Sequence, residues 1–212
     1  MSVDPARLRP WKQLERDARS CTDCRLWESR SKVVFGEGDV DADLMFVGEA
    51  PGRSEDLTGR PFAGAAGNIL DNFLGDVGLT RDEVYVTDLV MCRPPQGRRP
   101  SADEIEAHMP YLAEQIAHVR PRVIVAFGEL VAAVLAGRPL PLERVAGYRF
   151  DVFDGVTLIP TYRPTEAVKG SARALTAIKR DVATAKAVLD GRIATGADLL
   201  AEARARQSQS DA

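Results

Sequence analysis

The chain has 212 residues and a formal net charge of −3, and 45% of its residues are apolar. This length suits one domain, or one domain with a tail, and the composition is ordinary for a globular protein with a substantial core. No apolar run approaches the roughly 20 residues that a membrane-spanning helix needs, and the N-terminus lacks the apolar segment of a secretory signal. We therefore expect a cytoplasmic protein without a membrane partner, on which any nucleic-acid site is a local basic patch.

Apolar runs alternate with amphipathic segments along most of the chain. Strands are predicted at residues 42–47, 84–90, 122–127 and 156–160. Helices are predicted at residues 10–20, 64–76, 101–118, 129–135 and 171–189. The alternation predicts an α/β fold in which a four-stranded parallel sheet carries helices on both faces. Residues 1–190 are expected to form the domain, and residues 191–212 a helical or disordered tail.

Polar residues follow the predicted strands where a parallel sheet usually binds its ligand. The first strand runs into a turn rich in Gly and Pro at residues 48–52, and Glu55 and Asp56 come next. The second strand ends near Asp88, and Arg163 follows the fourth. Because ligands bind outside the carboxyl ends of the strands in open α/β sheets, these residues predict one polar pocket. An ordinary strand-to-helix loop is the alternative for residues 48–56, since Gly and Pro occur in every kind of loop.

The three cysteines are Cys21, Cys24 and Cys92. An odd number of cysteines without a secretory signal argues against a disulfide framework. The first two form a C-x-x-C pair, whose thiolates can bind one metal centre. A redox dithiol would usually follow a strand, whereas a predicted helix precedes this pair. A metal site is therefore the preferred interpretation, with a chance pairing as the alternative.

Several motifs, in one collinear order, carry a resemblance to a known family. They are Gly48-Glu-Ala-Pro-Gly-x-x-Glu-Asp56, Gly59-Arg-Pro-Phe62, the block from Tyr85 to Pro95, and Pro160-Thr-Tyr-Arg-Pro164. Over about residues 15–190 the chain resembles the family 4 uracil-DNA glycosylases, the iron–sulfur members of their superfamily. The resemblance implies a three-layer α/β/α sandwich with a four-stranded parallel sheet. It also implies a monomeric, monofunctional DNA glycosylase that hydrolyses the N-glycosidic bond of a flipped nucleotide, with uracil as the default base.

The resemblance implies an iron–sulfur cofactor. The family binds a 4Fe–4S cluster through four cysteines, and Cys21, Cys24 and Cys92 match three of them. His108 stands at the position of the fourth, so a cluster with three Cys ligands and one His is expected, with a structural role. Zinc is the alternative because it accepts the same ligand set. A further alternative is that His108 is an ordinary helix residue and the cluster is lost.

The resemblance also assigns roles in the pocket. Phe62 matches the aromatic residue that stacks on the extruded base, with plain core packing as the alternative. Glu49 is the first candidate for the catalytic carboxylate, and Glu55 and Asp56 are candidates for the residues that surround it. Glu49 and the backbone amides around Ala50 match the pocket floor, and Gly48, Ala50, Pro51 and Gly52 are the expected substrate-binding residues of the turn.

A basic loop follows the second predicted strand and contains Arg93, Arg98 and Arg99 without an acidic residue among them. It predicts contacts to DNA phosphates, with a merely solvated loop as the alternative. The loop is short and has no His. We therefore do not expect the stable covalent link to the abasic sugar that some members of the superfamily form.

Two residues depart from the family pattern. Asp88 replaces an Asn that both accepts from uracil N3–H and donates to O4, whereas an ionised Asp only accepts. Such a carboxylate suits a base edge with an exocyclic amine, such as that of cytosine. A protonated carboxyl group suits a base edge that has one hydrogen-bond donor and one acceptor. Arg163 replaces a His that donates to uracil O2, and Arg163 either takes that role or pairs with Asp88.

These departures leave the activity open. An altered base choice is one alternative to uracil excision. A non-catalytic iron–sulfur DNA-binding protein and a hydrolase of free nucleosides are the others.

Overall fold

The computed structural model describes residues 5–153 and 155–199. The strands are β1 (Glu37–Gly38), β2 (Leu44–Gly48), β3 (Tyr85–Asp88), β4 (Val123–Phe127), β5 (Phe150–Val152) and β6 (Val156–Thr161). The helices are α1 (Trp11–Ser20), α2 (Arg53–Thr58), α3 (Ala65–Asp76), α4 (Ala102–Val119), α5 (Glu129–Ala136), α6 (Leu142–Val145), α7 (Pro164–Val168) and α8 (Ala172–Leu189). All five predicted helices are present, whereas the short helices α2, α6 and α7 were not predicted.

The strands form one sheet in the order β1-β3-β2-β4-β6-β5. The four inner strands are parallel, as predicted, and the register of β2 and β3 places Gly48 beside Asp88 at their carboxyl ends. The prediction of four strands in total is wrong, because β1 and β5 add an antiparallel strand at each edge. These edge strands are two and three residues long, which is too short for a periodic pattern to show in the sequence.

Helices cover both faces of the sheet, which confirms the three-layer α/β/α architecture. Residues of β2 and β4 are buried along their whole length, as expected for parallel strands covered on both sides. On one face Met45 and Ile124 pack with residues of α4 and α5. On the other face Phe46 and Val125 pack with residues of α3 and α8. The double-sided core fixes the carboxyl ends of the strands at one edge of the molecule.

The N-terminal arm packs on α4 and forms a third apolar cluster. Arg9 donates two hydrogen bonds to the Glu114 carboxylate from Nε and Nη2, at 3.0 and 2.7 Å, and its carbonyl contacts His118 Nε2 at 2.7 Å. The Trp11 ring meets the edge of Phe35 at 5.3 Å between centroids. These contacts hold α1, and hence the C-x-x-C pair at its end, against the body of the domain.

Residues 191–199 lie within the predicted tail but pack on the β5 edge of the sheet. The Gly196 amide donates to Thr157 Oγ1 at 3.0 Å, and Arg149 Nη1 donates to the Ala194 carbonyl at 2.6 Å. The remainder of the predicted tail, residues 200–212, lies outside the described residues. Within the described chain, no helix combines the length and apolar character needed to cross a membrane.

Candidate active site

A cavity of about 440 Å³ opens at the carboxyl ends of β2, β3 and β4. It lies where the sequence predicted a pocket, and it brings together residues from four separate segments. Ten of the predicted site residues line it, namely Gly48, Glu49, Ala50, Pro51, Gly52, Glu55, Phe62, Asp88, Arg98 and Arg163. Arg93, Arg99 and Asp56 are not among the lining residues.

Asp88 ends β3 and is 3% exposed. No described residue forms a hydrogen bond or an ion pair with its carboxyl group. Burial, followed by the negative charges of Glu55 and Glu49, raises the pKa of Asp88 to about 8. Both causes favour the neutral form of the carboxyl group, whereas most Asp side chains are ionised at pH 7.

Gly48 provides the space into which the Asp88 carboxyl group projects. A Cβ atom at position 48 would overlap Asp88 Oδ1 and would lie 2.9 Å from Phe62 Cζ. Neither group could keep its position beside a larger residue. The glycine therefore allows the carboxyl group and the aromatic ring to meet at the cavity floor.

Phe62 is half-buried and has the left-handed backbone conformation that non-glycine residues rarely adopt, with φ of 50°. Arg81 Nη2 donates to its carbonyl at 3.1 Å, and Gly67 leaves room for that carbonyl. The Phe62 ring lies 5.5 Å from Phe127, tilted by 47°, and Phe127 stacks in turn on Phe46. Core packing and a fixed backbone thus hold one aromatic ring at the cavity wall.

Glu49 lies between two guanidinium groups. Its Oε2 is 3.4 Å from Arg163 Nη1, and its Oε1 is 3.8 Å from Arg99 Nε. Arg163 also donates from Nε to Glu166 at 3.0 Å. Arg163 was expected either to donate to uracil O2 or to pair with Asp88, and the ion pair with Asp88 is not formed. Gly128 makes this arrangement possible, since a Cβ there would lie 2.9 Å from the Arg163 side chain.

The two carboxylates of α2 have different surroundings. Glu55 lines the cavity, and its Oε1 accepts the Gly64 amide proton at 2.9 Å. Asp56 is 3% exposed and accepts the amide proton of Ser31 at 2.8 Å. Adjacent residues of a helix point in directions about 100° apart, so only one of the two faces the cavity. Asp56 instead connects α2 to the segment that follows the C-x-x-C pair.

The three arginines of the basic loop also differ. Arg98 forms a bidentate pair with the buried carboxylate of Glu104, at 2.7 and 2.6 Å, and so an acid beyond the loop engages it. Glu104 also accepts the Ser101 amide proton at 2.8 Å, which completes a capping box at the start of α4. Arg99 is largely exposed and lies near Glu49, and Arg93 is half-buried. Arg93 and Arg99 are therefore the better candidates for phosphate contacts.

Cys21, Cys24 and Cys92 pack together under the N-terminal arm. Arg30 connects two of them, because it donates to the Cys21 carbonyl at 2.7 Å and to Cys92 Sγ at 3.4 Å. Burial raises the pKa of the Cys92 thiol to about 11. A buried thiol of this kind becomes a thiolate only with a compensating charge, and a metal centre would supply one.

His108 is buried in α4, and its Nδ1 lies 2.7 Å from the Glu104 carbonyl oxygen. A carbonyl only accepts, so Nδ1 carries the proton and Nε2 keeps a free lone pair. Burial lowers the pKa of His108, which favours the neutral ring that a metal requires. An Nδ1–H donated to a backbone carbonyl is the usual orientation of a ligating imidazole. The donor set thus fits an iron–sulfur cluster with three Cys ligands and one His.

Zinc accepts the same set of three Cys ligands and one His, and so it stays the alternative to the cluster. Within residues 5–153 and 155–199, no three His, Cys, Asp or Glu side chains converge closely enough to hold a single metal ion.

Sequence reasoning missed several residues of the cavity wall. Phe127 was assigned only to a strand, and Ala65 and Ala66 only to a helix, yet all three line the cavity. Val168 and Lys169 line it from the end of α7, in a segment for which no helix was predicted. Pro164 at the first position of α7 was the available signal, because Pro favours the first turn of a helix.

The family model for the "Uracil DNA glycosylase superfamily" matches residues 35–186. A type-4 uracil-DNA glycosylase of Saccharolobus solfataricus is 40% identical over 160 residues, which cover 72% of this chain and 74% of the relative. A type-4 enzyme of Thermotoga maritima is 38% identical over 173 residues, covering 81% and 90%. One from Sulfurisphaera tokodaii is 48% identical over 117 residues, covering 55% and 53%.

The family model covers most of the chain, and its match includes the whole cavity described above. Two of the relatives exceed 30% identity over more than two thirds of the chain. The resemblance inferred from the motifs is thereby confirmed. The chain belongs to the uracil DNA glycosylase superfamily and, within it, to the type-4 uracil-DNA glycosylases.

Proposed function

We propose that the protein is a hydrolytic DNA glycosylase that removes uracil from DNA in base-excision repair. One observation carries the proposal: Glu49, Phe62 and Asp88 converge on one cavity at the carboxyl ends of the parallel strands. The three relatives compared above are uracil-DNA glycosylases, which supports the same activity. A cavity of about 440 Å³ accommodates a nucleobase with its sugar, but not a base that remains stacked in a duplex.

Recognition begins with an extruded nucleotide. The Phe62 ring supports one face of the base. Because the backbone of Phe62 is already held in place, this residue loses little conformational freedom when the base binds. Asp88 meets the hydrogen-bonding edge of the base at the cavity floor. Base selection in this chain therefore depends on Asp88, where the family pattern has Asn.

Cleavage breaks the bond between the sugar C1′ and the base nitrogen, and the electron pair leaves with the base. The sugar develops positive charge, so the Glu49 carboxylate stabilises it and orients the water that supplies the new hydroxyl group. Negative charge builds on the departing base. Arg163 is permanently charged, and it lies beside Glu49 in a position to donate to the base oxygen O2.

The DNA backbone binds at the cavity rim. Arg99 is 63% exposed, and Lys169 and Arg53 are exposed residues of the cavity lining. Together with Arg93 they form a local basic patch on a molecule whose net charge is −3. The binding constant should therefore fall steeply with salt, as expected for phosphate contacts.

We also propose that Cys21, Cys24, Cys92 and His108 hold a 4Fe–4S cluster. The cluster would tie the N-terminal arm to the basic loop and to α4, and glycosidic hydrolysis needs no electron transfer from it. Two further expectations, a monomeric state and a cytoplasmic location, stay predictions.

A glycosylase assay on anaerobically purified protein tests the proposed activity. The substrates are single- and double-stranded oligonucleotides that carry uracil, hypoxanthine, xanthine, cytosine or an alkylated base. We expect excision of uracil from this panel. Glu49→Gln should lower the rate by roughly 10²–10³, the usual effect of losing one group that stabilises transition-state charge.

Asp190→Asn, at the end of α8 and outside the cavity lining, is the matched control and should keep the wild-type rate. Silence of wild-type protein across the whole panel, together with salt-dependent DNA binding, would overturn the proposal in favour of a non-catalytic binder. Excision from free nucleosides alone would favour a nucleoside hydrolase.

A further inference from the structure

We propose that Asp88 recognises uracil as a neutral carboxylic acid, which donates its hydroxyl proton to O4 and accepts the N3 proton. The inference rests on the proposed function and names the residue that determines base choice at that site. A protonated carboxyl group presents one donor and one acceptor side by side, as an Asn amide does. The replacement of Asn by Asp therefore preserves the hydrogen-bonding pattern as long as the acid keeps its proton.

The position of the carboxyl group supports this role. Asp88 lies beside Gly48 in the sheet, and its Oδ1 occupies the space that a side chain at position 48 would take. The Phe62 ring borders the same space, because Cζ would lie 2.9 Å from that side chain. A base stacked on Phe62 would thus meet the carboxyl group with its edge. No described residue hydrogen-bonds to the Asp88 side chain, so both of its oxygen atoms are free for the base.

The charges around Asp88 favour the neutral form. Two carboxylates face it, Glu49 from the turn after β2 and Glu55 from α2. The cations of the cavity wall do not pair with Asp88. Arg163 pairs with Glu49 and Glu166, and Arg98 pairs with Glu104. Arg53 and Lys169 are exposed at the rim. Without a cation as partner, a third carboxylate in this buried group is unfavourable. The pKa of about 8 agrees with this arrangement.

The opposing interpretation is an ionised Asp88 that selects cytosine through its exocyclic amine. It requires a buried, unpaired negative charge beside two acids, which burial and like-charge repulsion both oppose. It would also place a second lone pair against O4 of uracil, so uracil would be rejected. The two interpretations therefore differ in the base that is removed at neutral pH and in the effect of alkaline pH.

The test compares uracil excision by wild type and by Asp88→Asn between pH 6 and pH 10. Below about pH 8 the two rates should be of the same order. Above it, the rate of wild type relative to the variant should fall roughly tenfold per pH unit, because the neutral fraction of Asp88 falls by that factor. Ionisation of the uracil itself affects both proteins and cancels in the ratio. Asp190→Asn should follow the wild-type profile.

A second measurement does not depend on activity. The ¹³Cγ resonance of Asp88, assigned by its absence in Asp88→Asn, should titrate well above the range of ordinary Asp residues. A constant rate ratio at all pH values, a normal titration, or excision of cytosine without uracil by wild type would each overturn the inference. Silence of both proteins on every substrate would instead contradict the proposed function, while the resonance would still report the ionisation of Asp88.

Discussion

At the scale of single residues, the site depends on contacts that a sequence motif does not display. Gly48 belongs to a turn motif, but its role comes from two groups that approach it from other segments, Asp88 Oδ1 and the Phe62 ring. Phe62 in turn keeps a strained backbone because Arg81 and Gly67 fix its carbonyl. Strain of this kind is common at functional sites, where the surroundings hold a residue ready for its ligand.

Gly48→Ala tests the space at the cavity floor. The new Cβ would displace the Asp88 carboxyl group and the Phe62 ring, so we expect uracil excision to fall at least 10²-fold, since small misplacements at an active site have effects of that size. Circular dichroism should show a folded protein. Gly75→Ala is the control, because no atom lies within 4 Å of the new Cβ and the helix should gain about 0.5–1 kcal/mol. A fully active Gly48→Ala would contradict the assigned floor.

At the scale of elements, α2 separates two carboxylates that the sequence places side by side. Glu55 faces the cavity, and Asp56 binds the backbone of the segment after the C-x-x-C pair. From the sequence, both residues are secondary candidates after Glu49, because no helix is predicted at residues 53–58. Helical geometry assigns the first to the site and the second to the connection between α2 and the N-terminal segment.

Asp56→Ala should therefore reduce stability more than activity. We expect a loss of about 1–3 kcal/mol in the free energy of unfolding, since backbone donors lose a charged acceptor. The excision rate per folded molecule should stay within about twofold of wild type, as measured by urea denaturation alongside the glycosylase assay. Glu55→Gln provides the contrast, because it alters a residue of the cavity wall. A loss of activity in Asp56→Ala without loss of stability would assign Asp56 to the chemistry.

At the scale of the whole molecule, the proposed ligand set would connect parts of the chain that are distant in sequence. Cys21 and Cys24 follow α1, Cys92 begins the basic loop, and His108 lies in α4. A cluster at this point would link the arm to the loop that carries Arg93 and Arg99. Because a group that binds only the folded state stabilises it, the cluster should raise the stability of the entire domain.

His108→Ala should lose the cluster, whereas His108→Cys should restore the four-Cys ligand set. Iron and sulfide analysis and the brown absorbance of anaerobically purified protein distinguish the two variants. We expect a lower melting temperature in His108→Ala and near wild-type values in His108→Cys. Stoichiometric zinc in colourless wild-type protein would contradict the proposed cluster. Full cluster content in His108→Ala would show that another group is the fourth ligand.

The sequence alone determined the order of the inner strands and main helices along the chain, and the location of the site. The inner strands 42–47 and 122–127 are continuous apolar runs, so their burial in a parallel sheet follows from composition. The turn at residues 48–52 and Asp88 follow such strands, and parallel strands end at one edge. The fold class and the cavity residues at the strand ends could therefore be predicted, as could the C-x-x-C pair as a candidate ligand. Phe62 was assigned through the family resemblance, and Arg98 was predicted only as a phosphate contact.

Only the tertiary structure decided which partner each charged residue has. The sequence left open whether Arg163 pairs with Asp88, and predicted no partner for Arg98, yet Glu49, Glu166 and Glu104 engage these arginines. It also could not reveal β1 and β5, which are defined by pairing with their neighbours. The ionisation of Asp88 depends on burial and on two carboxylates from other segments. Electrostatic energies depend on distances and solvent exposure, which residue order does not contain.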